Sequence, residues 1–158
     1  MKGKTKKPEI GEMIRDFTLK DQNGEEFTLS GRTGTRVLLS FHPLAWTGVC
    51  SGQMKSLEAN HDALASLRAI AVGISVDSVP CKKAWADHLE IKKTSLLSDF
   101  WPHGDVALEY GVFIEQEGFA GRVNIVIDEH QKVAFVKKYE RLALPDMNEI
   151  LDVLRRMS

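Results

Sequence analysis

One cysteine in this chain stands where a sulfur can react. Cys50 closes the run Phe41-His42-Pro43-Leu44-Ala45-Trp46-Thr47-Gly48-Val49-Cys50, and the second cysteine, Cys81, follows 31 positions later. The thiolate is the nucleophile. A free cysteine, of pKa about 8.5, is only a few per cent ionised at neutral pH, and in the first turn of a helix or beside a cation the value falls to roughly 3.5–7.5. Unpaired backbone N–H groups and the positive end of the helix dipole both favour the anion there. A sulfur so placed can attack an electrophile or be reversibly oxidised.

The elements around Cys50 supply that setting. Arg36-Val37-Leu38-Leu39-Ser40-Phe41 reads as a buried strand. Ser51 to about Arg68 holds no proline and no glycine beyond Gly52, and repeats Met54, Leu57, Leu64 and Leu67 at helical spacing. A proline-containing turn thus leads from strand to helix, and Cys50 falls in the helix's first turn. Upstream, Phe17–Leu19 and Glu26–Leu29 flank Asn23-Gly24, a hairpin signal. Downstream, Ala69–Val76 predicts a central strand buried on both faces. Asp77-Ser78 and Pro80 then start a helix to about Leu89, Leu96-Leu97 a short strand, and Asp105–Tyr110 a short helix closed by Gly111. Arg122–Asp128 and Lys132–Tyr139 form an antiparallel pair. A last helix from Pro145 carries Asp146 and Glu149 at capping-box spacing. The order predicts an α/β fold with a mixed central sheet flanked by helices and an N-terminal β-hairpin, closer to a thioredoxin-like arrangement than to a doubly wound parallel sheet.

The bulk numbers narrow the function. The 158 residues suit one domain spanning 1–158, with 43% hydrophobic and 27% charged residues. A net charge of −1 gives no reason to expect nucleic acid or an anionic membrane as partner. Residues 1–8, with Lys2, Lys4, Lys6 and Lys7, read as a flexible basic tail with no apolar segment after it. No apolar run approaches the roughly 20 residues of a membrane span. Two cysteines are too few for a disulfide scaffold and suit a cytoplasmic protein whose thiols react. No glycine-rich phosphate loop follows any strand, and the five histidines form no metal-ligand pattern, so neither cofactor nor metal is expected.

Pro43, Thr47 and Cys50 have the spacing Pro-x-x-x-Thr-x-x-Cys at a strand-to-helix junction. On this motif, and on Val76-Asp77-Ser78, Trp85 and Arg122 opening a strand that ends in Asp128, the chain resembles the peroxiredoxins, the alkyl hydroperoxide reductase C and thiol-specific antioxidant family, over roughly 11–154. The resemblance implies a thiol-dependent peroxidase acting on hydrogen peroxide or organic hydroperoxides. Cys50 would be the peroxidatic thiolate and Thr47 would offer its hydroxyl to the peroxide. Pro43 would shield the sulfur from water, and Arg122 would stabilise the anion and orient the peroxide oxygens. Backbone N–H groups of Val49 and Cys50 would hold the oxygen as charge shifts along the O–O axis. His42 and Trp46 are expected at the pocket.

Two positions depart from the family pattern: Gln53 stands where a glutamate is common, and Val123-Asn124 stands where Thr or Ser is frequent after the arginine. Some peroxiredoxins place a resolving cysteine in the helix that here holds Cys81. A Cys50–Cys81 disulfide would need the first turn at Cys50 to loosen, helped by Gly48 and Gly52. Two alternatives stay open at Cys81, a cysteine packed on Trp85 and a one-cysteine cycle with an external thiol. A thioredoxin-like or other dithiol protein would complete the cycle. His61 falls on the apolar stripe as a packed histidine, and Phe100 and Trp101 are expected to cover the site or to form a homodimer contact. The rival readings are a peroxide-oxidised redox sensor or holdase and a general thiol–disulfide oxidoreductase. The latter lacks its usual Cys-x-x-Cys, because Gln53 holds the second position.

Overall fold

The computed structural model describes residues 6–157; the expected basic tail lies outside it through residue 5, while Lys6 and Lys7 are exposed. Short strands β1 (Thr18–Lys20) and β2 (Glu26–Thr28) form the N-terminal hairpin, with Gly24 at φ +77° in its turn. The Asp21 carboxylate closes that turn by accepting from the N–H groups of Asn23 and Glu25. Next come β3 (Arg36–Phe41), α1 (Gly48–Ala59), α2 (His61–Ser66), β4 (Ala69–Ser75), α3 (Val79–Leu89) and β5 (Ser95–Ser98). They are followed by α4 (Asp105–Glu109), the small pair β6 (Phe113–Ile114) and β7 (Phe119–Ala120), β8 (Arg122–Ile127), β9 (Val133–Tyr139) and α5 (Met147–Arg156).

Seven strands form one mixed sheet in the order β2-β1-β5-β4-β3-β8-β9. β3, β4 and β5 are parallel, and β8 runs antiparallel to β3 with Phe41 opposite Val123 and Ser40 opposite Asn124. Strand alternation sorts the side chains into two cores. Leu39, Phe41, Ile74, Val123 and Ile125 pack with the hairpin and α4. Leu38, Leu96 and Val126 pack with Met54, Leu57, Trp85 and Ile150 from α1, α3 and α5. The thioredoxin-like reading holds, with helices on both faces.

Three local expectations need correcting. The helix after Cys50 is two helices: α1 ends at Ala59 and α2 begins at His61, and at the junction the Asn60 side-chain amide shares the Ser56 carbonyl (2.7 Å) with its own backbone N–H (3.1 Å). His61, expected on a packed stripe, therefore opens α2 half-exposed and contacts Asp62. The capping box on α5 is half made. Asp146 accepts from the Asn148 N–H, but the Glu149 carboxylate is taken by Lys137 and the Tyr139 hydroxyl.

Candidate active site

Cys50 is the third residue of α1, with Thr47 as N-cap in extended conformation. The first backbone bond of the helix runs from Ser51 N to Thr47 O, so the N–H groups of Gly48, Val49 and Cys50 precede the ladder. The Thr47 hydroxyl does not cap them; it donates to the Leu44 carbonyl (2.8 Å), which leaves its lone pairs for another donor. Cys50 is buried at the floor of a cleft of about 260 Å³, walled by Pro43, Leu44, Thr47, Val49, Phe119 and Leu142.

Arg122 reaches the same cleft because β8 starts beside the end of β3. Its place in the alternation puts it on the α1 face with Asn124 and Val126. Arg122 is 3% exposed. Nη1 donates to Cys50 Sγ (3.4 Å) and Gln53 Oε1 (2.7 Å), while Nε and Nη2 donate to the Arg141 carbonyl (2.9 and 2.6 Å). Gln53 is thus the arginine's neighbour, and its own amide donates to Ser40 Oγ (2.6 Å), which donates to Asn124 Oδ1 (2.8 Å). Both oxygens that Arg122 donates to are neutral. A buried cation without a counter-charge is costly, and among its partners only the Cys50 sulfur can supply one.

His42 and Trp46 do not line the cleft. His42, the residue after β3, is fully buried between the Ser40 carbonyl (3.2 Å) and the Lys82 ammonium (3.2 Å), against Trp85. Burial, the Lys82 charge and Arg122 hold its pKa well below the usual imidazole value. Trp46 points outward, 51% exposed, with its ring on His88. It holds φ +70°, a strained conformation for a bulky residue. Phe100 and Trp101 are also remote from the cleft; Trp101 borders a separate groove with Phe17 and Leu19.

Cys81 is half-buried, Cys50 fully buried, and no disulfide joins them. Its thiol faces Asp77 Oδ1 (3.8 Å) and receives the Trp46 indole N–H. Burial and the Asp77 charge push its pKa up. The turn before α1 is tied to the approach of α3 by Ala45 N to Asp77 Oδ2 (2.8 Å), and α1 itself to α3 by Trp85 Nε1 to Ser51 Oγ (3.1 Å). Among the described residues no cluster of three or more His, Cys, Asp or Glu side chains could hold a metal.

The profile of the AhpC/TSA family matches residues 10–136. The chain belongs to that family, the peroxiredoxins. It is similar to alkyl hydroperoxide reductase E of Mycobacterium tuberculosis (strain ATCC 25618 / H37Rv), at 38% identity over 150 residues covering 94% of this chain and 97% of the relative. Peroxiredoxin Bcp of Escherichia coli (strain K12) is 33% identical over 133 residues, covering 80% and 83%. Among solved structures, peroxidoxin BcpB from M. tuberculosis superposes with a TM-score of 0.85 at 30% identity, over 96% of this chain and 99% of that one. This peroxiredoxin is a thiol-dependent peroxidase.

Sequence reasoning missed the cleft walls Phe119 and Leu142, the Arg141 carbonyl and Lys82. Only Lys82 carried a signal. Lys82, Trp85, Ala86 and Leu89 fall on one helical face, and all four are buried.

Proposed function

We propose that Cys50 is the peroxidatic cysteine and that Pro43, Thr47 and Arg122 complete its site for hydrogen peroxide and organic hydroperoxides. The observation that carries this is the buried Arg122 guanidinium donating to the Cys50 sulfur at the start of α1. The thiolate attacks the terminal oxygen of ROOH. The S–O bond forms as O–O breaks, leaving a sulfenic acid and an alkoxide that takes up a proton. Thr47, its own proton committed to Leu44, accepts the hydroperoxide O–H. The N–H groups of Val49 and Cys50, with Arg122, meet the developing negative charge. Pro43 walls the cleft without offering an N–H to water.

Cys81 then attacks the sulfenic sulfur, expelling water and forming a Cys50–Cys81 disulfide, which a thioredoxin-like dithiol protein reduces. The bond between the Cys81 thiol and Asp77 does not favour its thiolate, so attack follows loosening of the α1 start and of the Trp46 and Asp77 contacts. No helix among the described residues is long and apolar enough to cross a membrane. A chain with only two cysteines accords with the cytoplasm, and exposed Phe100 and Trp101 (51% and 81%) accord with a homodimer.

Intact-mass analysis after one equivalent of hydrogen peroxide tests the scheme. Wild type loses about two mass units per chain, and Cys81→Ser instead gains one oxygen. A wild-type chain that stops at the sulfenic acid removes the resolving role of Cys81. Cys50→Ser consumes no peroxide; retained consumption would move the site elsewhere. Oxidation that does not turn over with any dithiol partner would favour a sensor.

A further inference from the structure

Lys82 is a buried cation that the peroxide chemistry above does not use. It projects from α3 into the same layer as Cys50 and has no exposed surface. Its Nζ lies 3.2 Å from His42 Nε2 and 5.6 Å from the Trp85 ring centroid. A lysine ammonium can only donate, so Nε2 accepts. The imidazole proton then sits on Nδ1 and is given to the Ser40 carbonyl (3.2 Å). Ser40 is also the residue whose hydroxyl receives the Gln53 amide, and Gln53 receives Arg122. Lys82, His42, Ser40, Gln53, Arg122 and Cys50 thus form one continuous polar layer between the sheet and its helices. The layer depends on Gly73 of β4, where an added Cβ would stand 3.2 Å from His42 Cε1 and 2.3 Å from Met54 Sδ.

The charges facing Lys82 come from several elements. His42 is neutral. Asp77, on the turn before α3, is bound to Ala45 N and Ser75 Oγ (2.6 Å), and Asp99, after β5, accepts from Val106 N and Ala107 N. Neither carboxylate bonds the ammonium. Cys81 and Cys50 complete the set that acts on it electrostatically.

We propose that Lys82 is a positioning residue for the Cys50 reaction: with Arg122 it places two buried cations in one polar layer, and the Cys50 thiolate is the counter-charge that Asp77 and Asp99 supply only in part. Burial lowers the lysine to about 8, so the ammonium persists at neutral pH. The proposal rests on the reading of Cys50 as the reacting thiolate.

The test uses the full chain carrying Cys81→Ser, so that one thiol remains, and reads iodoacetamide alkylation of Cys50 by intact mass at about pH 6 and about pH 9. Lys82→Met removes the charge at similar volume, and Lys82→Gln removes it while keeping a donor for His42; either variant carries the test if the other does not fold. The expected result is alkylation at least about threefold slower than the Cys81→Ser parent near pH 6, with the difference closing near pH 9. A ratio that is the same at both pH values, whether one or far below it, assigns Lys82 to packing and overturns the proposal while leaving Cys50 in place. A parent alkylated near pH 6 no faster than a free cysteine overturns the thiolate reading, and the role of Lys82 with it.

Discussion

Arg122 and Gln53 divide one task at the scale of single residues. The guanidinium provides charge that does not vary with pH, and the amide holds it in place without cancelling that charge. Removing the cation while keeping some volume, as in Arg122→Met, should slow sulfenic acid formation by about 10²-fold or more, the usual cost of losing a donor aimed at developing charge. Stopped-flow intrinsic fluorescence would read it, and a variant within a few-fold of wild type would remove Arg122 from the chemistry. Gln53→Glu should act in the opposite sense to a repair. A carboxylate 2.7 Å from Nη1 competes with the sulfur for the same cation, so the rate at neutral pH should fall by about tenfold. An unchanged or faster variant would show that the charge of Arg122 is not what Cys50 depends on.

Among the secondary-structure elements, Glu58 ties the end of α1 to the approach of β5. Its carboxylate accepts from the N–H groups of Lys92 (2.8 Å), Lys93 (3.1 Å) and Thr94 (3.0 Å) and from the Thr94 hydroxyl (2.8 Å). Burial pushes the carboxyl up, but the four donors together outweigh it and hold the group below its ordinary value. A native value below the unfolded one gives stability that is complete above about pH 4.5 and lost as pH falls through the native value. Glu58→Gln should therefore cost about 1–2 kcal/mol near neutrality, and the deficit should shrink in acid. Urea unfolding at both pH values measures it; a deficit independent of pH would mean that the anion contributes nothing beyond ordinary hydrogen bonds. The site's elements were legible beforehand for related reasons. The strand ending at Phe41, the helix start at Cys50 and the cap of α3 at Ser78 depend on residues within one or two turns of each other. The break at Asn60 was missed because apolar spacing continues across it.

For the molecule as a whole, exposed aromatic surface is the feature without an internal purpose. Trp101 is 81% exposed and Phe100 51%, both remote from the Cys50 cleft. If they form the homodimer contact, Trp101→Glu should convert a dimer to a monomer in sedimentation velocity at low micromolar concentration, while the alkylation rate of Cys50 is retained. A dimer that survives the substitution would place the interface elsewhere. The sheet's global arrangement also brings Arg122 to Cys50. Antiparallel pairing of β8 with β3, with Phe41 opposite Val123, delivers a residue 72 positions away to the sulfur.

What the amino-acid order determined alone is a cysteine in the first turn of a helix, the sequence of strands and helices, and the arginine heading a strand, because periodicity and capping act over a few residues. The tertiary structure alone decided that Gln53 and the Arg141 carbonyl hold that arginine, that His42 turns inward to Lys82 while Trp46 turns out, and that Phe119 and Leu142 wall the cleft. Those contacts depend on which strands pair and in what register, and alternation shows that a strand has two faces without naming the neighbour each face will meet.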